Sequence, residues 1–213
     1  MKTLKKQGGF TLVEIAIVLV IVGLLLAGVL KGQELIENSK IKNIAKDMDA
    51  VSASILSYRD RYRSLPADET GSTIALYGWA ANVGAGNNNG LIGAASVDPF
   101  GVAAGENVNA FRALRYAGFI GGNPADAGAA ARPAHAAGGN MALGNTLWGL
   151  SGNVVCLNNL TGKFAGALDR LIDDGVNNTG IVRSSTVAPA AAVAPAAGAY
   201  LEATTGYFLC KQL

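Results

Sequence analysis

The chain has 213 residues, of which 50% are hydrophobic and 15% are charged, and its formal net charge at pH 7 is +2. This composition excludes disorder that is driven by excess charge. Three of the 17 basic residues are lysines before position 7, and their removal with a leader would leave 14 basic against 15 acidic side chains. No nucleic-acid partner is therefore expected.

The first predicted element is an apolar run from Phe10 to Leu30, in which Glu14 is the only charged residue. As a helix, this run would span about 32 Å, enough to cross a hydrocarbon core of about 30 Å. The preceding lysines favour a cytoplasmic N-terminus, which places the rest of the chain outside the cytoplasm. Gly8 and Gly9 come before the run, so a cut after them would leave the helix in the product as a membrane anchor.

The acid in this run is unusual, because a carboxylate in a bilayer-length segment costs roughly 2.5–3.5 kcal/mol on insertion-based scales. Glu14 is therefore a functional-site hypothesis. The competing interpretation is a tolerated acid near the interface whose carboxylate reaches the lipid headgroups.

Residues 31–65 continue the helix with an amphipathic pattern. Two heptads are short for a coiled coil, so the pattern favours a sheet that packs on the apolar stripe. Pro66 and the residues ADETG after it predict the end of the helix. The apolar residues recur at alternating steps of three and four, which predicts one stripe composed of Ile41, Ile44, Met48, Val51, Ile55, Tyr58, Tyr62 and Leu65.

Residues 67–152 are rich in Gly, Ala and Asn and predict long loops, with one amphipathic helix over 106–120. A second short helix is predicted from Lys163 to Ile172, and the Pro/Ala-rich residues 187–199 predict an exposed connection. The fold class is α+β: a long N-terminal helix, half membrane-embedded and half amphipathic, packed on a small antiparallel sheet. The strand candidates are NVVCL (153–157), GIVRS (180–184), AYLEA (199–203) and GYFLCKQL (206–213).

Cys156 and Cys210 are the only cysteines, and both come well after the membrane segment. In an oxidising compartment outside the cytoplasm they can form a disulfide. A bridge across a loop of about 55 residues would stabilise the fold by about 4 kcal/mol in the chain-entropy model. Two buried, unpaired thiols are the alternative.

The stretch Lys5-Lys6-Gln7-Gly8-Gly9-Phe10-Thr11-Leu12-Val13-Glu14 resembles the processing and assembly signal of type IV prepilins and type II secretion pseudopilins. The resemblance covers the leader and the long helix. Beyond residue 66 only the general pilin-like plan is similar, with a spine helix, a late sheet and a C-terminal disulfide-bounded region. The resemblance implies cleavage by a prepilin peptidase after Gly9 and N-methylation of the new terminus, Phe10.

The resemblance also implies a role for Glu14. Cleavage creates an ammonium on Phe10, and methylation retains its charge. Glu14 lies one helical turn from that cation, or near the cation of a neighbouring, staggered subunit. Because losing one partner of a buried charge pair typically costs roughly 3–5 kcal/mol, Glu14 is expected to set the axial register of a subunit that enters a filament.

The chain departs from the family pattern in one respect. Many members have a proline about where Gly28 to Lys31 stand, and this sequence has none there. Gly23 and Gly28 each weaken a helix by about 1 kcal/mol relative to Ala, which is one source of the same flexibility. Alternatively, Gly23 and Ala27 allow two helices to approach closely.

No catalytic, cofactor-binding or metal-binding constellation is predicted at a recognisable spacing. His135, the only histidine, is expected to be exposed in an Ala/Pro/Gly loop. The sequence around Asp173 and Asp174 is rich in oxygen ligands, and some pseudopilins hold calcium in a comparable late loop. The familiar calcium-loop spacing is not found there, so a plain turn is expected.

Two further pairs of residues have simple interpretations. Arg59 and Arg63 share a helix face, and a solvated helix end is expected there. Trp79 and Trp148 are expected to be core or interface anchors.

The leading hypothesis is a type IV pilin, not an enzyme, that polymerises with copies of itself through residues 10–40 into a surface filament. It divides the chain into a leader over 1–9, a transmembrane helix over 10–30, an amphipathic helix over 31–65 and a globular domain over 66–213. Its further partners would be the prepilin peptidase and the inner-membrane assembly machinery. Before assembly the subunit would lie in the inner membrane with a periplasmic domain, and afterwards in an extracellular filament. The alternatives are a type II secretion pseudopilin and a membrane-anchored periplasmic binding protein or enzyme.

Overall fold

The computed structural model describes residues 11–101 and 104–213. The chain divides into two compact units, of which the first ends at Lys40 and the second is Ile41–Leu213. The helices are α1 (Leu12–Tyr62), α2 (Gly71–Leu76), α3 (Glu106–Tyr116) and α4 (Gly162–Ile172), and a 3-10 turn covers Gly128–Ala131. The strands are β1 (Met141–Asn145), β2 (Asn153–Leu160), β3 (Val182–Ser185) and β4 (Tyr207–Gln212).

The C-terminal half of α1 buries one stripe of side chains. This stripe packs with Val155, Leu157 and Leu209 of the sheet in the main hydrophobic core. The predicted packing of a sheet on the helix is therefore confirmed. The buried helix residues belong to the predicted set: Ile41, Ile44, Met48, Val51, Ile55 and Tyr58.

The helix ends at Tyr62, three residues earlier than predicted. Arg63 has a φ of 59°, in the left-handed region that commonly ends helices, while its N–H still donates to the Arg59 carbonyl at 2.8 Å. Leu65 is buried after the helix end. Its place in the apolar pattern thus reflects burial in the core and not a longer helix.

The four strands form one antiparallel sheet in the order β1-β2-β4-β3, which confirms the α+β class. The two central strands, β2 and β4, correspond to the candidates NVVCL and GYFLCKQL, and β3 overlaps GIVRS. The predicted helices over 106–120 and from Lys163 to Ile172 correspond to α3 and α4.

Two strand assignments were wrong. AYLEA (199–203) is not a strand, because the Tyr200 hydroxyl bonds to Ser184 and Asp169 and a turn closes between Leu201 and Thr204. The fourth strand is instead β1, in a region predicted as loop. Its sequence, MALGN, has little strand propensity, and it forms because all five residues are buried and paired with β2.

The sheet is apolar on both faces. Successive side chains of a strand point to opposite faces, so Val155 and Leu157 join the main core while Val154 and Cys156 join a second, smaller cluster. That second cluster, called here the far-face cluster, contains Leu147, Trp148, Leu150, Val154, Cys156 and Cys210, with Phe100 and Phe208 packed against it.

Candidate assembly site

The first turn of α1 is closed by reciprocal hydrogen bonds between Thr11 and Glu14. The Glu14 carboxylate accepts from the backbone N–H and from the hydroxyl of Thr11, each at 2.8 Å, and the Glu14 N–H donates to that hydroxyl at 3.3 Å. This is a capping box, which satisfies N–H groups that the helix ladder leaves open. Sequence reasoning about charge missed this role, although the spacing Thr-x-x-Glu is its signal.

The apolar half of α1 is exposed along its length. Every side chain from Leu12 to Leu30 is exposed, with Leu12 at 91% and Leu24 at 70%. By length and composition, α1 is able to cross a membrane. Exposed apolar surface costs about 25 cal/mol per Å² in water, so this segment needs lipid or other apolar helices around it. It fits a membrane anchor.

Among the residues that the structure describes, none packs closely enough against Gly23 or Gly28 to require a glycine there. A Cβ added to Gly23 or Gly28 would find no atom within 4 Å, and α1 continues through both positions. Close approach between helices of different copies is one use for such positions, and helix flexibility is the other. The structure of a single chain does not require either.

Residues 4–30 match a family model described as the prokaryotic N-terminal methylation motif. That motif is the type IV pilin and pseudopilin signal, and it points to a structural, pilin-like protein. No curated protein and no solved structure matches the chain. Gly9 and Phe10 lie within the matched residues but outside the residues that the structure describes, so cleavage and methylation at these positions stay predictions.

Cys156 and Cys210 form a disulfide between the two central strands. They face each other in the register of β2 and β4, and both are fully buried in the far-face cluster. The bridge joins residues 54 positions apart in sequence. It therefore ties β4, at the C-terminal end of the chain, to the middle of the sheet.

His135 is not the exposed loop residue that the sequence predicted, because only 5% of its surface is exposed. Its Nε2–H donates to the Asn158 carbonyl at 2.9 Å, and its Nδ1 accepts from the Ala137 N–H at 3.3 Å. The surrounding loop folds back on itself, since His135 N–H donates to the Gly139 carbonyl. The imidazole is thus held as a neutral hydrogen-bonding group that joins this loop to β2.

Burial lowers the pKa of His135, and this gives a testable pH dependence. The unfolded chain binds a proton below about pH 6.5, whereas the folded chain resists it, so His135 should make the fold less stable as pH falls from 7 to 5. His135→Gln should be less stable than wild type at pH 7, and the difference should shrink towards pH 5. Denaturant unfolding in detergent at several pH values measures this; a difference independent of pH would contradict it.

The acidic residues after α4 bind the turn that follows them. Asp173 Oδ2 accepts from the N–H groups of Ile181 and Val182 at 2.6 and 3.0 Å. Asp174 accepts from the Thr179 hydroxyl at 2.5 Å, which lowers the pKa of Asp174. These contacts hold the turn in place, and the absence of calcium from it stays a prediction.

A third carboxylate, that of Asp169, lies close to these two acids, with oxygen atoms of all three within 4.8 Å of one another. Burial raises the pKa of Asp169, and its Oδ2 accepts from the Tyr200 hydroxyl at 2.5 Å. The Ser184 hydroxyl in turn donates to Tyr200 at 2.8 Å. This chain of hydrogen bonds joins α4, β3 and the connection before β4.

The two tryptophans are anchors in or against the cores, as expected, whereas the arginine pair differs from the prediction in one respect. Trp148 is 3% exposed in the far-face cluster, and Trp79 is half-buried against the main core. Arg59 and Arg63 are exposed as predicted, and the contact of Arg63 with Asp60 at 3.5 Å is a solvated pair. The two arginines do not share a helix face, because α1 ends at Tyr62 and Arg63 has a left-handed backbone.

Proposed function

We propose that this chain is the subunit of a type IV pilus-like filament that assembles through the apolar half of α1. What carries the proposal is the coincidence of the N-terminal methylation motif with a helix whose apolar residues, Leu12 to Leu30, are all exposed. Such a helix is stable in a bilayer before assembly and in a bundle of like helices afterwards. The same surface thus serves both states.

The proposed processing prepares the chain for the transfer of α1 from the bilayer into the bundle of helices. A prepilin peptidase cuts after Gly9, and methylation of Phe10 keeps the new amine cationic. Glu14 would then supply the opposite charge within an apolar bundle, where an uncompensated charge is costly. A subunit that enters at the wrong height leaves both charges unpaired, so the pair selects one axial position.

The unit Ile41–Leu213 would lie in the periplasm before assembly and on the filament surface afterwards. Its disulfide and its buried hydrogen bonds suit a domain that has to stay folded outside the cell. Long Gly/Ala-rich loops between α2 and β1 are acceptable on an exposed filament surface.

Intact mass measurement on two cell fractions tests the proposal. We expect filaments sheared from the cell surface to contain abundant chain that begins at methylated Phe10. Processed chain confined to the inner membrane would contradict a surface filament and favour a pseudopilin of a secretion system. Chain that still begins at Met1 in both fractions would contradict processing altogether.

A further inference from the structure

A groove on the unit Ile41–Leu213, called here the lysine groove, combines exposed aliphatic side chains with positive charge. Its volume is about 570 Å³, within the range of about 300–1,000 Å³ that is usual for a site that holds one ligand. Its lining comes from α1, from the end of α4, from the residue before β3 and from β4. The side chains that decide its chemistry are Lys42, Lys46, Asp49, Leu171, Ile181 and Lys211.

The apolar lining of the lysine groove is exposed to solvent. Leu171, in the last turn of α4, is 51% exposed, and Ile181, directly before β3, is 45% exposed. Their neighbours Leu168 and Val182 are the residues that α4 and β3 bury in the main core. The core therefore does not account for the two exposed side chains, and aliphatic groups that lie together in a concave site are a feature of ligand-binding surfaces.

The charged lining of the lysine groove is mainly positive. Three of the four lysines of the unit lie there, together with one acid. That acid, Asp49, is already neutralised, because Lys211 Nζ donates to Asp49 Oδ1 at 2.5 Å. Lys42 and Lys46 are exposed, and neither has a hydrogen bond or an ion pair with any residue that the structure describes. The groove thus has two uncompensated positive charges.

The positions of these two lysines favour an anionic ligand with an apolar part. Lys42 and Lys46 stand on the same face of α1, because residues four apart on a helix are neighbours. The pair is able to bind one anionic group, and lysine binds phosphate as a point charge. The aliphatic side chains of the same groove suit an apolar group. An anionic phospholipid combines both parts in one molecule, a phosphate and the adjoining acyl chains.

The elements around the groove favour a lipid over a peptide. An extended peptide is commonly bound through main-chain hydrogen bonds at a free sheet edge. The edge strand β3 itself contributes none of the described residues that line the groove, and β4 contributes only Lys211. A phospholipid needs no backbone partner. Lipid is also available, because α1 contains the segment that is able to cross a membrane.

We propose that the lysine groove binds an anionic phospholipid of the membrane in which the unassembled subunit is anchored. The phosphate lies between the ammonium groups of Lys42 and Lys46, and the acyl region contacts Leu171 and Ile181. The contact holds the unit on the lipid surface and is lost when the subunit leaves the bilayer for the filament. This inference rests on the proposed function in one respect, namely that the subunit is anchored in a membrane before assembly.

Fluorescence quenching on the full chain in bilayers tests the contact. Both native cysteines are in the disulfide, so the thiol of Leu171→Cys is the one that takes a fluorescent label. The labelled chain is reconstituted in phosphatidylcholine vesicles and in vesicles of equal parts phosphatidylcholine and phosphatidylglycerol, each with brominated acyl chains as the quencher. We expect strong quenching only where phosphatidylglycerol is present. A label at Leu76→Cys, which is 87% exposed and does not line the groove, should be quenched in neither.

Charge variants show whether the two lysines hold the lipid. A lysine near an anionic surface contributes about a fivefold factor to binding, so Lys42→Gln together with Lys46→Gln should lower the ratio of docked to undocked chain about thirtyfold. The matched control is Arg59→Gln together with Arg61→Gln, which removes two exposed charges of the same helix outside the groove. This control should leave the quenching unchanged.

Three results would overturn the inference. Equal quenching of the Leu171→Cys label in both kinds of vesicle would show that the contact does not depend on an anionic headgroup, and no quenching in either would show that there is no contact. An equal loss in the arginine control would show that the overall charge of the unit is responsible. None of these results depends on filament formation, so each leaves the proposed function intact. Wild-type cells that form no filaments would refute the proposed function, and the quenching result would stand.

Discussion

Glu14→Gln should leave cleavage after Gly9 intact and reduce the yield of surface filaments by at least about tenfold. The capping box tolerates glutamine at this position, so the first turn of α1 should survive the substitution. The substitution removes the negative charge. Loss of one member of a buried charge pair costs roughly 3–5 kcal/mol. A cost of about 1.4 kcal/mol already lowers an equilibrium constant tenfold. Intact mass of the membrane fraction measures processing, and the amount of sheared filament measures assembly.

Glu14→Ala is the matched variant, because it removes both the charge and the cap. The register role predicts that Gln and Ala variants fail to assemble to a similar extent. If Glu14→Gln assembled normally while Glu14→Ala did not, the reciprocal bonds with Thr11 would be the essential feature and the charge pair would not.

Removal of the disulfide should destabilise the unit Ile41–Leu213 by about 4 kcal/mol, which for a domain of this size corresponds to a fall in Tm of roughly 10 °C. The bridge closes a long loop between β2 and β4, so its loss increases the freedom of the unfolded chain. Cys156→Ser should therefore be cut by protease faster than wild type. Thermal unfolding under oxidising conditions gives the size of the effect.

The variants Cys156→Ala, Cys210→Ala and their combination separate the bridge from the packing of the two side chains. If the bridge carries the effect, each single variant and the double variant should lose a similar amount of stability, because any of them breaks the same bond. Additive losses, or two free thiols in the mass of oxidised wild type, would show that the disulfide does not contribute as expected.

Local and periodic features were readable from the sequence alone. The apolar run with its one acid, the steps of three and four from Ile41 to Tyr58, and the β-branched and aromatic runs of β2 and β4 each report a structure that depends on nearby residues. The antiparallel α+β arrangement followed because an amphipathic stripe of that length has to be covered by another element.

Other features depended on contacts between residues far apart in the chain. β1 exists because it pairs with β2, and its Ala, Gly and Asn carry no local strand signal. His135 is buried because its loop folds back and bonds to Asn158, so composition wrongly placed it in solvent. The Tyr200 hydroxyl forms hydrogen bonds with Ser184 and Asp169, and these bonds hold residues 199–203 in a conformation other than the predicted strand.

The aromatic rings near the C-terminal end of α1 show the same division. The residues Tyr62, Tyr77, Trp79 and Tyr116 are visible in the sequence, but nothing in their spacing shows that their rings meet at one exposed place. Only the packing of α1, α2 and α3 brings them together there. Periodicity determines which side chains an element buries, whereas the tertiary fold decides which exposed side chains become neighbours.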